Sequence, residues 1–300
     1  MAPVQNSGAT NRARVVVNFG AELLIETTQG ELIRAKPRRG ATLPVCGDWV
    51  SYQMADTQTA RIDSIEPRAS ALYRPQGRHR KRVMAANVNQ LLVVIAPEPA
   101  PDAFLIDRYL VAAEVEGISA RLVLNKWDLV TSEQAPYYES LLNEYESLGY
   151  AVHRVSVPRE IGLQRLKEAI DEHLSILVGQ SGVGKSSLTR ILIASSEVKV
   201  GALSEATGTG QHTTTATTLY HVPSGGDILD SPGVRDFKLW TMPISDIAQG
   251  FIEFCSQRPC RFHNCTHRDE PECGIRDAAQ SGDISPRRYE SYLRLVRELT

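Results

Sequence analysis

Apolar and polar residues alternate in short runs at Arg14–Phe19, Glu22–Thr27, Glu31–Ala35, Asp48–Gln53 and Ala60–Ile65. Period-two runs of this length predict strands with one buried face. Gly20, Gly30, Gly40 and Gly47 separate them, and Pro37 and Pro44 exclude a long helix. Short strands with turns between them predict a small closed barrel over residues 1–70, for which OB and SH3-like types both fit. Pro67–Ala86 reads as irregular and basic, so residues 71–86 are expected to be a linker.

From Asn87 the period changes. Leu91–Ile95 and Ala120–Leu124 are continuous apolar runs, as expected of strands covered on both faces. Amphipathic stretches at Ala103–Glu116, Glu133–Leu148 and Leu163–His173 predict helices. Ala151–Ser156 and Leu174–Val178 predict two more strands, and another helix should begin near Lys185. Strands alternating with helices give an α/β fold: a parallel sheet covered on both faces, with its ligand-bearing loops along one edge. This domain is assigned residues 87–240. Residues 241–300, rich in Cys, Arg, Pro and Glu, form a separate appendage ending in a helix near Pro286–Leu299.

Bulk properties narrow the classes. No run of eighteen apolar residues occurs, so no membrane span is expected. Met1–Arg14 lacks the apolar stretch of a secretory signal, which places the protein in the cytoplasm with its five cysteines free or metal-bound. The net charge of −2 hides an excess of Lys and Arg in residues 1–85, tightest at Arg74, Arg78, Arg80, Lys81 and Arg82. Such a cluster can attract phosphates.

Gly179-Gln180-Ser181-Gly182-Val183-Gly184-Lys185-Ser186 matches the phosphate-binding loop in full, and it lies between a predicted strand and a predicted helix. Its glycines let successive N–H groups converge on phosphate oxygens, with Ser187 continuing into the helix. Lys185 would reach the terminal phosphates and Ser186 would hold Mg²⁺. Asn125-Lys126-Trp127-Asp128 closes a strand of the same sheet. A carboxylate at Asp128 can accept from N1 and the 2-amino group of guanine, donors that adenine lacks. Lys126 would pack along the base, Asn125 would tie loops together, and Ser156 is the matching candidate for a base-contacting loop. Asp230-Ser-Pro-Gly233 supplies a second Mg²⁺ group at Asp230 and an N–H for the γ-phosphate at Gly233. Between the two motifs lies Gly208-Thr-Gly-Gln-His212-Thr213-Thr214-Thr215, a candidate switch in which Thr214 is preferred as the remaining Mg²⁺ ligand. In ordinary small GTPases the phosphate loop comes first; here Asn125 precedes Gly179, so the motif order is circularly permuted.

Cys260, Cys265, His267 and Cys273 can supply three thiolates and one imidazole to a closed tetrahedral site, which points to one structural Zn²⁺. Cys255 and His263 are nearby alternatives. Cys46 reads as a small buried apolar residue.

Together these features resemble the RsgA (YjeQ, EngC) family, over nearly the whole chain from Gly47-Asp48 through Ala85-Ala86-Asn87-Val88 to Cys273. The resemblance carries on the permuted order, the Gly-x-His-Thr-Thr-Thr-like switch, the Asp-x-Pro-Gly motif and the Cys/His cluster. It implies an N-terminal OB-fold, a permuted GTPase domain and a C-terminal zinc domain. It further implies a GTPase that assists late maturation of the small ribosomal subunit, contacts its rRNA and is stimulated by the ribosome. Two positions depart from pattern. Gln211 stands where many relatives carry a basic residue, and Val234 stands where Ras-like proteins carry a water-orienting Gln. An apolar side chain cannot orient water, so the isolated enzyme is expected to be slow, with orientation from His212 or from the partner. His212 could equally contact phosphate or rRNA. A monomer is expected. Two other readings are an RNA-binding module with a vestigial nucleotide site, which Lys185, Ser186, Asp230 and Asp128 together oppose, and an ATP-dependent enzyme, which Asp128 opposes.

Overall fold

A computed structural model of the chain describes residues 11–20, 22–75, 81–193, 217–231 and 241–300. The alternating runs fold as β1 (Asn11–Asn18), β2 (Leu23–Thr27), β3 (Leu32–Pro37), β4 (Trp49–Met54) and β5 (Thr59–Ile65). They pair in the order β1-β2-β3-β5-β4, and β4 returns to β1. β3 and β5 run parallel and the other pairs antiparallel, giving a closed five-stranded barrel of OB type. Three consecutive buried valines in β1 serve two cores. Val15 faces into the barrel, whereas Val16 and Val17 belong to the large core of the neighbouring domain. A register shift between Val15 and Val17 makes that change of face possible.

Pro67–Ala86 is not irregular throughout. β6 (Ala71–Pro75) and β7 (Lys81–Ala86) pair as an antiparallel ribbon, with Arg74 opposite Arg82. Its arginines obscured the buried positions Leu72 and Ala85, which pack into the large core. Gly47 abuts the ribbon at φ +92°, where a Cβ would lie 2.1 Å from the Ala86 carbonyl oxygen. Cys46 beside it is buried, which pushes its thiol up to about 12.

The second domain is a sheet of β8 (Gln90–Ile95), β9 (Ser119–Leu124), β10 (Ala151–Arg154), β11 (Leu174–Val178), β12 (Thr217–His221) and β13 (Asp227–Asp230). Its order is β10-β9-β8-β11-β13-β12, parallel except for β12. Alternate residues of each central strand feed opposite cores. Leu91, Val93 and Ile95 pack under α1 (Ala103–Val115) and α2 (Ala135–Ser147). Leu92 and Val94 pack under α3 (Leu163–Ile170) and α4 (Lys185–Ile193).

β12, which the sequence pattern did not reveal, joins the two domains. Val17 pairs with Thr218 and Asn18 with Thr217, so barrel and sheet form one continuous ladder. Arg14 of the barrel contacts Asp227 at 2.6 Å. His221 bridges Asp227 and Glu26, each at 2.6 Å.

The appendage contains α5 (Ile244–Gln249), α6 (Gly274–Ser281) and α7 (Pro286–Leu299). It docks through a buried charge network. Arg288 is 0% exposed and donates to both carboxylate oxygens of Glu253, at 2.6 and 2.9 Å, and to Asp107 on α1 at 2.8 Å. Arg287 donates to the other oxygen of Asp107 and to Glu144 on α2. Tyr145 completes the set by donating to Asp107 at 2.8 Å. No helix among the described residues is long and apolar enough to cross a membrane.

Truncating Arg288 would leave Asp107 and Glu253 buried with too few partners. Arg288→Met is therefore expected to lower unfolding free energy by about 3–5 kcal/mol, read from urea denaturation. A second expectation concerns pH. Hydrogen bonds with Asp227 and Glu26 raise His221 to about 9, against roughly 6.5 in an unfolded chain. The stabilisation by its charge is complete below the lower value and is lost as pH rises through the upper one. The stability gap between the native chain and His221→Gln should therefore narrow from pH 6.5 upward, measured by thermal unfolding across that range.

Candidate nucleotide site and metal centre

β11 ends at Val178 and α4 begins at Lys185, so the glycine-rich loop lies at the carboxyl edge of the sheet. Gly179, Gly182 and Gly184 all have positive φ, at +137°, +86° and +95°. Two of them are also sites of close approach. A Cβ on Gly179 would lie 2.0 Å from the Val94 carbonyl oxygen, and one on Gly184 would lie 2.2 Å from Nδ2 of Asn125. Val183 points into the core beneath and anchors the loop. Lys185 folds back over it, its Nζ donating to the carbonyls of Gly179 and Gln180 at 2.7 and 2.6 Å. Ser186 and Ser187 are exposed in the first turn of α4, and Ser181 and Gly182 are exposed on the loop.

Asn125 binds the two motifs together. Its backbone N–H donates to Ile95, and its Nδ2 donates to the Val183 carbonyl at 2.9 Å. Lys126 adopts a left-handed conformation at φ 56°, and its Nζ donates to the Glu98 carbonyl. Asp128 lies in the turn Trp127–Leu129, and its Oδ1 accepts from the Ser156 hydroxyl at 2.5 Å. Ser156 is buried, and its N–H and C=O both bond Ile161. Its hydroxyl thus fixes the position of the Asp128 carboxylate.

Asp230 ends β13, which runs parallel to β11 with Leu229 opposite Ile176, so it stands beside the phosphate loop. Thr217 and Ser231 share a hydroxyl contact at 2.9 Å, closing the ends of β12 and β13. His212, Thr214 and Gly233, with Gln211 and Val234, lie outside the described residues.

Sequence reasoning missed the segment after β8. Asp102 caps α1 by accepting from Phe104 and Leu105, and its own N–H donates to the Gln180 side chain at 3.4 Å. Pro99 lies 3.5 Å from the position a Cβ would take on Gly182. The available signal was the run Pro97, Pro99, Pro101, Asp102, which stops a strand and starts a helix.

The donor atoms of Cys260, Cys265, His267 and Cys273 lie within 4.8 Å of one another and could hold a metal ion. Cys255 and His263 are not part of this group. The Sγ atoms of Cys260 and Cys273 are 3.8 Å apart, and His267 Nδ1 is 3.4 and 3.5 Å from them. Bond lengths of about 2.3 Å to sulfur and 2.0 Å to nitrogen give tetrahedral edges of roughly 3.8 and 3.5 Å, so these spacings fit a shared ion. The loop is held from outside by Glu270, which accepts from Thr266 and Arg268. Burial works against the Glu270 charge, but these hydrogen bonds outweigh it and hold the carboxyl at about 2.

Residues 65–240 match the model of the RsgA GTPase family. The chain is 44% identical over 298 residues to the small ribosomal subunit biogenesis GTPase RsgA of Chromohalobacter salexigens, covering 98% of this chain and 87% of that protein. It is 43% identical to the protein of the same name from Azotobacter vinelandii, covering 97% and 87%. The crystal structure of YjeQ from Thermotoga maritima superposes with a TM-score of 0.78 at 29% identity, covering 96% of this chain and 98% of that one. YloQ, described as a circularly permuted GTPase, superposes at 0.77 over 99% and 98% with 21% identity, a likeness of fold. A phosphate loop tied by Asn125 to a motif that precedes it in the chain is the arrangement such a fold requires, and this chain belongs to the RsgA GTPase family of GTP-hydrolysing enzymes.

Proposed function

We propose that this chain binds GTP across the Asn125–Val183 junction and hydrolyses it to GDP and phosphate on the small ribosomal subunit, late in that subunit's maturation. The observation that carries the reading is the Asp128–Ser156 contact beside the phosphate loop. A carboxylate fixed in this way discriminates for guanine donors at a defined distance from the phosphates. In this reading Gly179–Ser187 cradle the phosphates, and Lys185 leaves the carbonyls of Gly179 and Gln180 to meet the terminal ones. Ser186 and Asp230 offer the hydroxyl and carboxylate oxygens that Mg²⁺ favours, and Thr214 would add a third. The ion would neutralise charge on the β- and γ-phosphates. Gly233 would donate to the γ-phosphate, and His212 or a partner group would orient water.

The partner is taken to be the small subunit and its rRNA. The names of the relatives and the basic ribbon support this. Stimulation by the ribosome is what the family resemblance implies, and Val234, an apolar residue where a water-orienting Gln would stand, is consistent with a slow isolated enzyme. The protein acts in the cytoplasm, as a monomer. The test is GTP hydrolysis with and without purified small ribosomal subunits, with ATP as control. Turnover should rise strongly with subunits and only for GTP; equal rates with and without them would end the ribosomal part of the reading.

We assign Zn²⁺ to the Cys260, Cys265, His267 and Cys273 group, where it would be structural, with no open coordination position. Cys265→Ser should lower bound zinc from about one ion per chain to nearly none, measured by elemental analysis. Burial pushes the Cys265 thiol up to about 12, and the thiols must lose protons to bind metal. Zinc affinity should therefore rise with pH, checked by chelator competition.

A further inference from the structure

β10 is the outer strand of the parallel sheet. Between it and α3 lies a cavity of about 420 Å³, lined by His153, Arg154, Glu160, Gln164 and Arg165 among others. None of these residues belongs to the nucleotide or metal sites described above. Its volume lies in the range of pockets for small molecules.

The charges around it are unbalanced. Arg154 is matched by Glu139 and Glu146 on α2. Arg165 on α3 and Arg121 on β9 have no acidic partner within ion-pair distance among the described residues. Parallel pairing places Arg121 opposite Ala151 and Val123 opposite His153, so Arg121 and His153 share the sheet face covered by α3. Burial, and then Arg121 and Arg165, press the His153 imidazole toward its neutral form. Nε2 of His153 and Nε of Arg121 are both buried without a hydrogen-bond partner among the described residues. Buried nitrogens without partners and crowded like charges both cost stability, and one anion accepting from Arg121 and from the Nε2–H form of His153 would relieve both. Glu160 is exposed at the rim, and it belongs to the loop that begins at Ser156.

We propose that this cavity is a binding site for a small molecule carrying a phosphoryl group, held by Arg165 and His153 in the field of Arg121. Among the described residues, Arg165 is the unpaired guanidinium in the cavity wall, and its planar fork suits phosphate oxygens. Arg121 on the same sheet face adds positive charge that favours a dianion over a single carboxylate.

The test uses the full chain loaded with GDP and Mg²⁺, so that the phosphate loop is already filled. Sodium phosphate and sodium acetate are titrated at constant ionic strength, with histidine ring signals followed by NMR. His153→Gln assigns the signal. Phosphate should shift the His153 signal saturably and raise the pH at which it titrates, while acetate should not. Arg165→Gln, an exposed change on α3, should weaken the phosphate response about tenfold. Absence of a saturable shift, an equal shift with acetate, or an undiminished response in Arg165→Gln would overturn the proposal. So would stronger binding at the same signal by oligouridine without terminal phosphates, which would make the cavity part of a nucleic-acid surface.

Discussion

One side-chain amide joins the two halves of the nucleotide cleft. Asn125 Nδ2 donates to the Val183 carbonyl at 2.9 Å, linking the end of β9 to a loop that leaves β11. The bond forms only because Gly184 has no side chain, since a Cβ there would lie 2.2 Å from that nitrogen. Gly179 meets the same constraint against Val94 on β8. The loop is thus pressed against the ends of two strands while Val183 is sunk in the core below it. These contacts depend on sheet order, in which β9, β8 and β11 are consecutive, and not on chain order. A permuted chain therefore keeps the same cleft.

What permutation changes is where the ends of the cleft lead. β12 follows the segment carrying His212 and Thr214, and it is hydrogen-bonded directly to β1 of the barrel. β13 precedes the segment carrying Gly233, beyond which the chain enters the appendage. That appendage is fastened to α1 and α2 through Arg287 and Arg288. Buried ion pairs of this kind add little net stability over apolar packing, but breaking one leaves a charge stranded. They hold a geometry more than they add strength. Here they hold the chain that follows residues 232–240 against α1 and α2, while the barrel holds β12, the strand that follows residues 194–216.

The sequence made the parallel strands legible because both faces of each are covered and the apolar run is unbroken, as in β8 and β11. Glycines at fixed spacing revealed the phosphate loop for an equally local reason: the backbone there needs positive φ. β12 was hidden because Thr217 and Thr218 continue the threonine run that reads as a switch. The ribbon was hidden by the arginines on its outer positions. Asp107 and Arg288 were invisible for a different reason. Each is an ordinary charge on an amphipathic helix, and only folding brings together two residues 181 positions apart. Ser156 stood out as the end of a strand, but its partner Asp128 emerges only when β9 and β10 lie side by side.

The Cys/His cluster is bound into this arrangement and does not hang from it. Tyr292 and Tyr289 on α7 donate to the carbonyls of Thr266 and His267, at 2.7 and 2.6 Å. Phe254 and Tyr292 pack edge-on against each other, and Phe254 does the same against the His267 ring. Phe251, in contact with Tyr292, lies beneath the Arg288 guanidinium at 4.9 Å. Arg288 then reaches Asp107 on α1, the helix whose capping residue Asp102 touches Gln180 of the phosphate loop. Asp102 and Asp107 are separated by little more than one helical turn, and a helix does not stretch. One helix therefore carries both the Arg288 network that seats the Cys/His cluster and the Asp102 contact to Gln180, and Asp107 cannot move relative to Asp102 without bending it.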